Sequence, residues 1–512
     1  MSEMILGNST DLLSITDISR KLATENLNPT SKRAFGQYMT PARVASFMAS
    51  LFPSPTNKVK LLDPGAGVGS LTSALIAHLI EDSTSVRNVH IDAYEIDPAL
   101  QTSLTRTLDL CKSTIEEHGG ELSWHVFKSD FILDASDIIV SSRGLWGEKH
   151  DNYTHCIMNP PYQKISSQSR HRSCLRSVGI ETVNLYSAFV AMALSLMDTT
   201  GLLVAIIPRS FCNGPYYRHF RQFVLNNSSI KYIHLFGSRN KAFRDDNVLQ
   251  ENIIIMLERG GIQHEVTVST STDDTLADFN KSAYPFDQIV NPGDTSQVIY
   301  IPASPNYPKT IFESARFSLD DLGIKVSTGP IVDFRLKEHL RKIPTSDTVP
   351  LLYPCHFSQS SVEWPLANNK KPNAIIFNQE TLKWLYSNGF YTVVRRFSSK
   401  EEKRRIIASV VDPNMFSDME KLGFENHLNV FHNNRHGLPE RLAKGLAVFL
   451  NSTIVDNRFR CFSGHTQVNA NDLRRLEYPS REVLIGLGNW AMQQAKLTQD
   501  IIDEQIERIL GE

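Results

Sequence analysis

Between Val59 and Arg259 the chain alternates short apolar runs with longer segments of helical periodicity. The runs are VKLLD, VHIDAYE, LSWHVF, THCIM, GLLVAIIP, IKYIHLF and ENIIIML. Each is strand-length, the pattern of strands buried on both faces. Between them, SLTSALIAHLI and NLYSAFVAMALSLM place apolar residues at i, i+3, i+4 and i+7, the stripe of a core-facing helix. Strand and helix in alternation predict βαβ units, an α/β fold with a largely parallel sheet and helices on both faces. After about Gly260 the pattern fades into STSTDDT, NPGDTS and PASPNYP, whose turn residues predict a connection. The chain then reads as an N-terminal extension (1–30), an α/β domain (31–265), a connecting region (266–315) and a second domain (316–512) of mixed periodicity with aromatic-basic stretches.

A length of 512 residues agrees with more than one domain. The net charge of −2 announces no polyanion partner, yet a whole-chain sum can hide a local basic face. Six scattered cysteines, with no C-x-x-C pair and no histidines at zinc spacing, predict reduced thiols and no metal. The N-terminal MSEMILGNSTDLLS lacks the basic and apolar regions of a signal peptide, and no apolar run approaches the ~18 residues that span a bilayer. The expectation is a cytoplasmic protein without a membrane segment.

Candidate chemistry lies where the predicted strands end. The first strand runs into LLDPGAGVGSLTSAL, with Asp63, then Gly65, Gly67 and Gly69, then a helix from about Ser70. Glycines here allow a tight turn and close approach to a ligand at a helix start. The loop departs from the dinucleotide fingerprint, because the third glycine of G-x-G-x-x-G would fall at Ser70. Glu95 ends the next strand, where a carboxylate can grip a ribose hydroxyl pair, and Asp130 follows the third. Either acid alone could be a solvated strand-end residue. Acids closing three successive strands, at the edge where open α/β sheets bind ligands, predict a nucleoside ligand.

The fourth strand stops in Asn159-Pro160-Pro161-Tyr162. Two prolines remove two donors and fix two φ angles, so no regular structure runs through them. They leave a stiff corner that holds the Asn159 amide and the Tyr162 ring in a fixed relation. This series resembles the amino-methyltransferases of the N6-adenine DNA class, where such a tetrapeptide is catalytic and DPGAGVGSLT resembles the cofactor loop. AFGQYMTPARVASFMASLF, Ala34 to Phe52, resembles the motif that closes over the methionine end of S-adenosylmethionine. Its place before the glycine loop resembles the gamma arrangement. VSTGPIVDFRLKEHL, RRFSSKEEKRR and FSGHTQVNANDLRRLEYP resemble the C-terminal half of bacterial type II restriction-modification methylases of the Eco57I-like group.

The resemblance implies a Rossmann-like methyltransferase sheet followed by a DNA target-recognition domain. It also implies S-adenosylmethionine as cofactor, duplex DNA as substrate, and a cognate restriction endonuclease as functional partner. Thr40, Asp63, Gly65, Gly67, Gly69, Glu95 and Asp130 would serve the cofactor, Thr40 near its methionine portion and Asp130 near its adenine. Asn159 and the Pro160 carbonyl would accept the hydrogens of an exocyclic amino group, a poor nucleophile because its lone pair delocalises into the ring. Tyr162 would stack on a base rotated out of the duplex. N4-cytosine methylation uses the same chemistry; Asn at the first motif position and the gamma-like order favour adenine. An inactive DNA-binding subunit is the non-enzymatic alternative, opposed by the intact motifs.

In the second domain, Arg395, Arg396, Lys400, Arg404 and Arg405 cluster around Phe397, and Arg474-Arg475 follow. Such cations can neutralise phosphates, although a solvated charged face has the same composition. Pro354-Cys355 has the look of the nucleophile of carbon-5 cytosine methylases, but it lies far beyond the sheet and lacks their acidic partner motif. Glu401-Glu402-Lys403 fits a loose nuclease pattern without the preceding Pro-Asp, so no fused nuclease is expected.

Overall fold

Each of the seven apolar runs forms a strand: β1 (Lys58–Pro64), β2 (Asn88–Tyr94), β3 (Glu121–Phe127), β4 (Tyr153–Met158), β5 (Met197–Pro208), β6 (Ser228–Phe236) and β7 (Asn252–Arg259). The computed structural model describes residues 9–26, 38–54, 58–82, 88–142, 152–237, 251–302, 315–358, 362–367, 370–398, 402–463 and 466–510. The chain divides into two compact units, Met1–Pro305 and Asn306–Glu512.

In the first unit the strands lie in the order β3-β2-β1-β4-β5-β7-β6, extended by β8 (Val266–Ser271) and β9 (Asn280–Tyr284). Pairing is parallel from β3 through β5, and β7 runs antiparallel to both neighbours. The continuous apolar runs are explained by two cores, one on each face. Leu61 and Ile206 enter one core, and their neighbours Leu62 and Ile207 enter the other, as strand pleating requires. Helices α1 (Ser9–Asn26), α2 (Ala42–Ala49), α3 (Ser70–Asp82) and α4 (Pro98–Glu117) contribute to the first core. Helices α5 (Phe131–Ser142), α6 (Arg170–Ser177), α7 (Leu185–Leu196) and α8 (Arg218–Asn227) contribute to the second. Buried all round, α7 has the composition that makes its sequence so uniformly apolar.

Two expectations change. The N-terminal extension is not separate, because Leu12 of α1 is buried in the same core as α3 and α4. The region 266–315 is not only a connection: β8 pairs parallel with β6, β9 pairs antiparallel with β8, and Ile289, Val290, Ile299 and Ile301 close the second core. Turn residues around VTVSTS masked its alternating, β-branched strand pattern.

The second unit holds a four-stranded antiparallel sheet and a five-stranded mixed one. In the first, β10 (Lys325–Thr328), β13 (Leu428–His432), β11 (Tyr391–Arg395) and β12 (Ala408–Val411) are neighbours in that order. Helices α9 (Glu440–Leu450) and α10 (Thr453–Phe462) follow.

Candidate active site

The glycine loop is held by main-chain bonds before any ligand is considered. The N–H groups of Gly65 and Ala66 donate to the Tyr94 carbonyl at the end of β2, at 3.0 and 2.8 Å. The Gly67 N–H donates to Glu95 Oε2 at 2.9 Å. Gly65 and Gly67 have φ of +82° and +60°, conformations that disfavour any side chain, and both face a cavity of about 320 Å³. Gly69 has another reason to be glycine. A Cβ there would meet Thr107 and Leu104 of α4 at 3.0 and 3.1 Å, so it permits helix packing and does not line the cavity. Asp63 also stands behind the loop, fully buried, its Oδ2 accepting the Thr72 hydroxyl at 2.6 Å. Burial pushes its carboxyl up to about 7. Asp63 ties the end of β1 to α3, whereas the sequence placed it among the ligand contacts.

Glu95 and Asp130 do reach the cavity. Glu95 accepts from Asp97 N–H at 2.7 Å as well as from Gly67, so it braces the loop it shares the cavity with. Its burial pushes the carboxyl up to about 7, against the two N–H bonds that favour the charged form. Asp130 caps α5 through the N–H groups of Ile132 and Leu133, at 3.0 and 3.3 Å, and its other oxygen meets His171 Nε2 at 2.7 Å. Burial would raise this carboxyl, but the His171 and helix-start bonds outweigh it and hold it below its ordinary value. The same pair raises His171. The sequence does not single out His171, because nothing in SRHRS marks its histidine as the partner of Asp130.

Asn159 also lines the cavity. Its Nδ2 donates to the Tyr38 carbonyl at 2.7 Å and to Thr40 Oγ1 at 3.1 Å. A carbonyl can only accept, so Tyr38 fixes which way the amide points, and Oδ1 is left as the acceptor. The Tyr162 hydroxyl lies 2.9 Å from that Oδ1 and 3.2 Å from the Ile206 carbonyl on β5. Pro160 is buried and Tyr162 half-buried, its ring edge-on to Tyr186 with centroids 6.2 Å apart. Thr40, Gly65, Gly67, Glu95, Asp130 and Asn159 thus share one cavity, floored by apolar groups such as Phe131 and Phe189. A slot with apolar walls, two acids and a glycine turn suits a nucleoside with a charged tail. One lining side chain, Asn159, presents an acceptor oxygen.

The predicted phosphate ligands of the second unit are arranged differently. Arg405 is 1% exposed, its Nε donating to Ser398 Oγ at 3.1 Å and its guanidinium 5.3 Å from the Phe459 ring centre. A phosphate cannot reach it, which corrects its reading as a DNA contact. Arg395 and Arg404, half-buried, donate to the carbonyls of Phe357 and Ser452, and Arg396 to that of Asn426 and to Gln467 Oε1. Arg474 is exposed, although one guanidinium nitrogen holds the Val326 carbonyl at 2.6 Å. Arg475 is half-buried, while Lys400 and Glu401 lie outside the described residues. Cys355 is exposed in a short turn of the second unit, and none of the six cysteines forms a disulfide.

A sheet of this order, with a glycine turn after its first strand and an acid after its second, is the Rossmann-like sheet of methyltransferases dependent on S-adenosylmethionine. Residues 70–243 match the family model described as Eco57I restriction-modification methylase. The chain is 48% identical over 506 residues to type II methyltransferase M.BsuBI of Bacillus subtilis, covering 98% of both chains. It is 42% identical over 504 residues to type II methyltransferase M.PstI of Providencia stuartii, covering 97% of both. The chain belongs to this family of type II DNA methyltransferases of restriction-modification systems. Its fold is also similar to that of the type IIL restriction-modification enzyme MmeI in complex with DNA, with a TM-score of 0.53 at 11% identity over 98% of this chain and 75% of that one. Among the described residues no helix is long and apolar enough to cross a membrane.

Proposed function

We propose that the chain methylates the N6 amino group of an adenine rotated out of duplex DNA, in the cytoplasm, so that a cognate endonuclease spares the modified site. The observation that carries this reading is the orientation of Asn159. Its amide hydrogens are spent on Tyr38 and Thr40, so its oxygen meets the incoming group, and an amide oxygen has a second lone pair beside the one facing Tyr162. An acceptor there draws an amino hydrogen out of the ring plane and supports positive charge as the nitrogen attacks, and the Pro160 carbonyl would supply the second. S-adenosylmethionine supplies the electrophilic methyl group. Gly65, Gly67, Glu95 and Asp130 would hold its nucleoside, and Thr40 would lie by its methionine end. Tyr162, fixed through its hydroxyl and against Tyr186, would serve as the stacking surface. The second unit would recognise the target, with Arg474 the exposed candidate for a phosphate.

The test is transfer of tritiated methyl groups to DNA, followed by nucleoside chromatography. N6-methyladenine is expected. N4-methylcytosine would keep the acceptor chemistry and overturn the base, and absence of transfer would leave a DNA-binding subunit.

A further inference from the structure

The chain leaves β5 at Pro208 and reaches α8 through a short turn, Arg209 to Tyr217, that is fastened at both ends. At its start Arg209 pairs with Glu251 at 2.8 Å, both side chains 2% exposed. At its end Arg221, fully buried, donates to the carbonyls of Phe211 and Gly214 at 2.8 Å each and to that of Ser296 at 2.6 and 3.0 Å. A guanidinium spent on the carbonyls of one turn freezes that turn. Gly214 shows how tight it is, because a Cβ there would lie 2.8 Å from the Tyr217 ring and 3.0 Å from the Ser210 carbonyl.

This rigid frame nonetheless holds the Tyr216 ring in solvent, 77% exposed, beside the exposed Arg218 and His219. The adjacent Tyr217 turns inward. Its ring lies 5.8 Å from that of Tyr186, which in turn meets Tyr162 of the catalytic corner. Tyr216 therefore projects from a fixed turn a few rings away from the place where a target base would be held. An exposed aromatic on a mobile loop needs no explanation, but one presented on a stapled turn does.

We propose that Tyr216 enters the DNA base stack beside the target and stacks on the bases that the extruded base leaves behind, with Arg218 on a neighbouring phosphate. The inference rests on the base-extrusion reading above. Taking a base out of the duplex forfeits its stacking, and a ring in the gap restores part of it for any sequence, since every base has a π-face. A neighbouring guanidinium positions the strand without reading it.

The test uses the full chain and duplexes carrying its own methylation site, mapped by sequencing DNA from an expressing host. One duplex is fully paired, and in the other the position opposite the target is abasic, so no pair must be broken and no orphan base covered. Single-turnover methylation by Tyr216→Ala should slow by about tenfold or more on the paired duplex, the scale of one lost base–aromatic stack. It should match wild type on the abasic duplex, and Tyr216→Phe should match wild type on both. Full speed of Tyr216→Ala on the paired duplex, or equal loss on both, overturns the proposal. With 2-aminopurine at the target, wild-type enzyme should raise the fluorescence. Failure of that rise would remove the extrusion reading and the insertion with it, whereas failure of the Tyr216 arm alone leaves extrusion standing.

Discussion

The carboxyl edge of the nine-stranded sheet and the arginine-rich strand of the second unit spend polar groups in opposite ways. At the sheet edge, main-chain N–H groups satisfy part of each acid, and Glu95, Asp130 and Asn159 still face one cavity. In the second unit, guanidinium groups turn back onto carbonyls of their own unit, as Arg395, Arg396, Arg404 and Arg474 all do. Short strands joined by many turns leave carbonyls outside any ladder, and long cationic side chains are well suited to satisfy them. A basic run is therefore ambiguous between binding DNA and closing its own fold. A polar side chain at the end of a buried parallel strand has fewer alternatives.

The contrast is most exposed to test at Asn159. Asn159→Ala should lower turnover by about 10²–10³, the usual loss for one preorganised acceptor, while cofactor and duplex affinities change little. Single-turnover kinetics beside calorimetry separate the two, and a near wild-type rate would break the catalytic side of the comparison. Arg405 carries the other side. Arg405→Ala strands the Ser398 hydroxyl and uncovers Phe459, which should cost roughly 1–3 kcal/mol of stability in denaturant unfolding. The salt dependence of DNA binding should not move. Arg474→Ala should leave stability nearly intact and reduce the logarithmic salt slope by about 0.9, one phosphate's worth. If Arg405→Ala changes the slope instead, the cluster binds DNA after all.

These cases also mark how far the sequence could be read. The seven strands and the glycine loop were readable because period and turn chemistry act over a few residues. Within that loop the sequence could not separate Gly67, which faces the cavity, from Gly69, which faces α4, since the distinction depends on a helix that follows β2. His171 meets Asp130 from 41 residues away, and no local signal foretells that. The strands β8 and β9 were hidden because polar, turn-forming residues surround them and only VTVSTS alternates.

A smaller effect tests whether Glu95 holds ribose. Burial sets its carboxyl to about 7, so the free site holds a neutral acid below that pH and a carboxylate above it. Ribose hydroxyls donate more strongly to a carboxylate, so binding favours the charged form and lowers the group's pKa in the complex. Affinity should therefore rise as pH climbs toward about 7 and level off beyond. The probe is 5′-methylthioadenosine, which has the ribose and adenine but no titrating amino acid. Its dissociation constant should fall by at most about tenfold per pH unit on the acid side. Asp130 and His171 titrate in the same cavity, and Glu95→Gln distinguishes them by removing only the Glu95 component. A profile as steep in Glu95→Gln as in wild type would assign the effect to that pair.

The finest test concerns Thr40, which stands both in the cofactor cavity and against the catalytic amide. Asn159 Nδ2 has two hydrogens, one for the Tyr38 carbonyl and one for Thr40 Oγ1. Thr40→Val keeps the shape and removes the second partner, so the amide stays oriented by Tyr38 but less firmly. One such bond is worth about 0.5–1.5 kcal/mol, which corresponds to roughly a two- to tenfold loss of turnover at saturating cofactor. Thr40→Ser should retain the wild-type rate. A weaker cofactor affinity with unchanged turnover would instead assign Thr40 to the methionine end alone. The double mutant decides between the two roles. If Thr40 acts by orienting Asn159, Thr40→Val should cost no further turnover in an Asn159→Ala background, because the group it orients is gone.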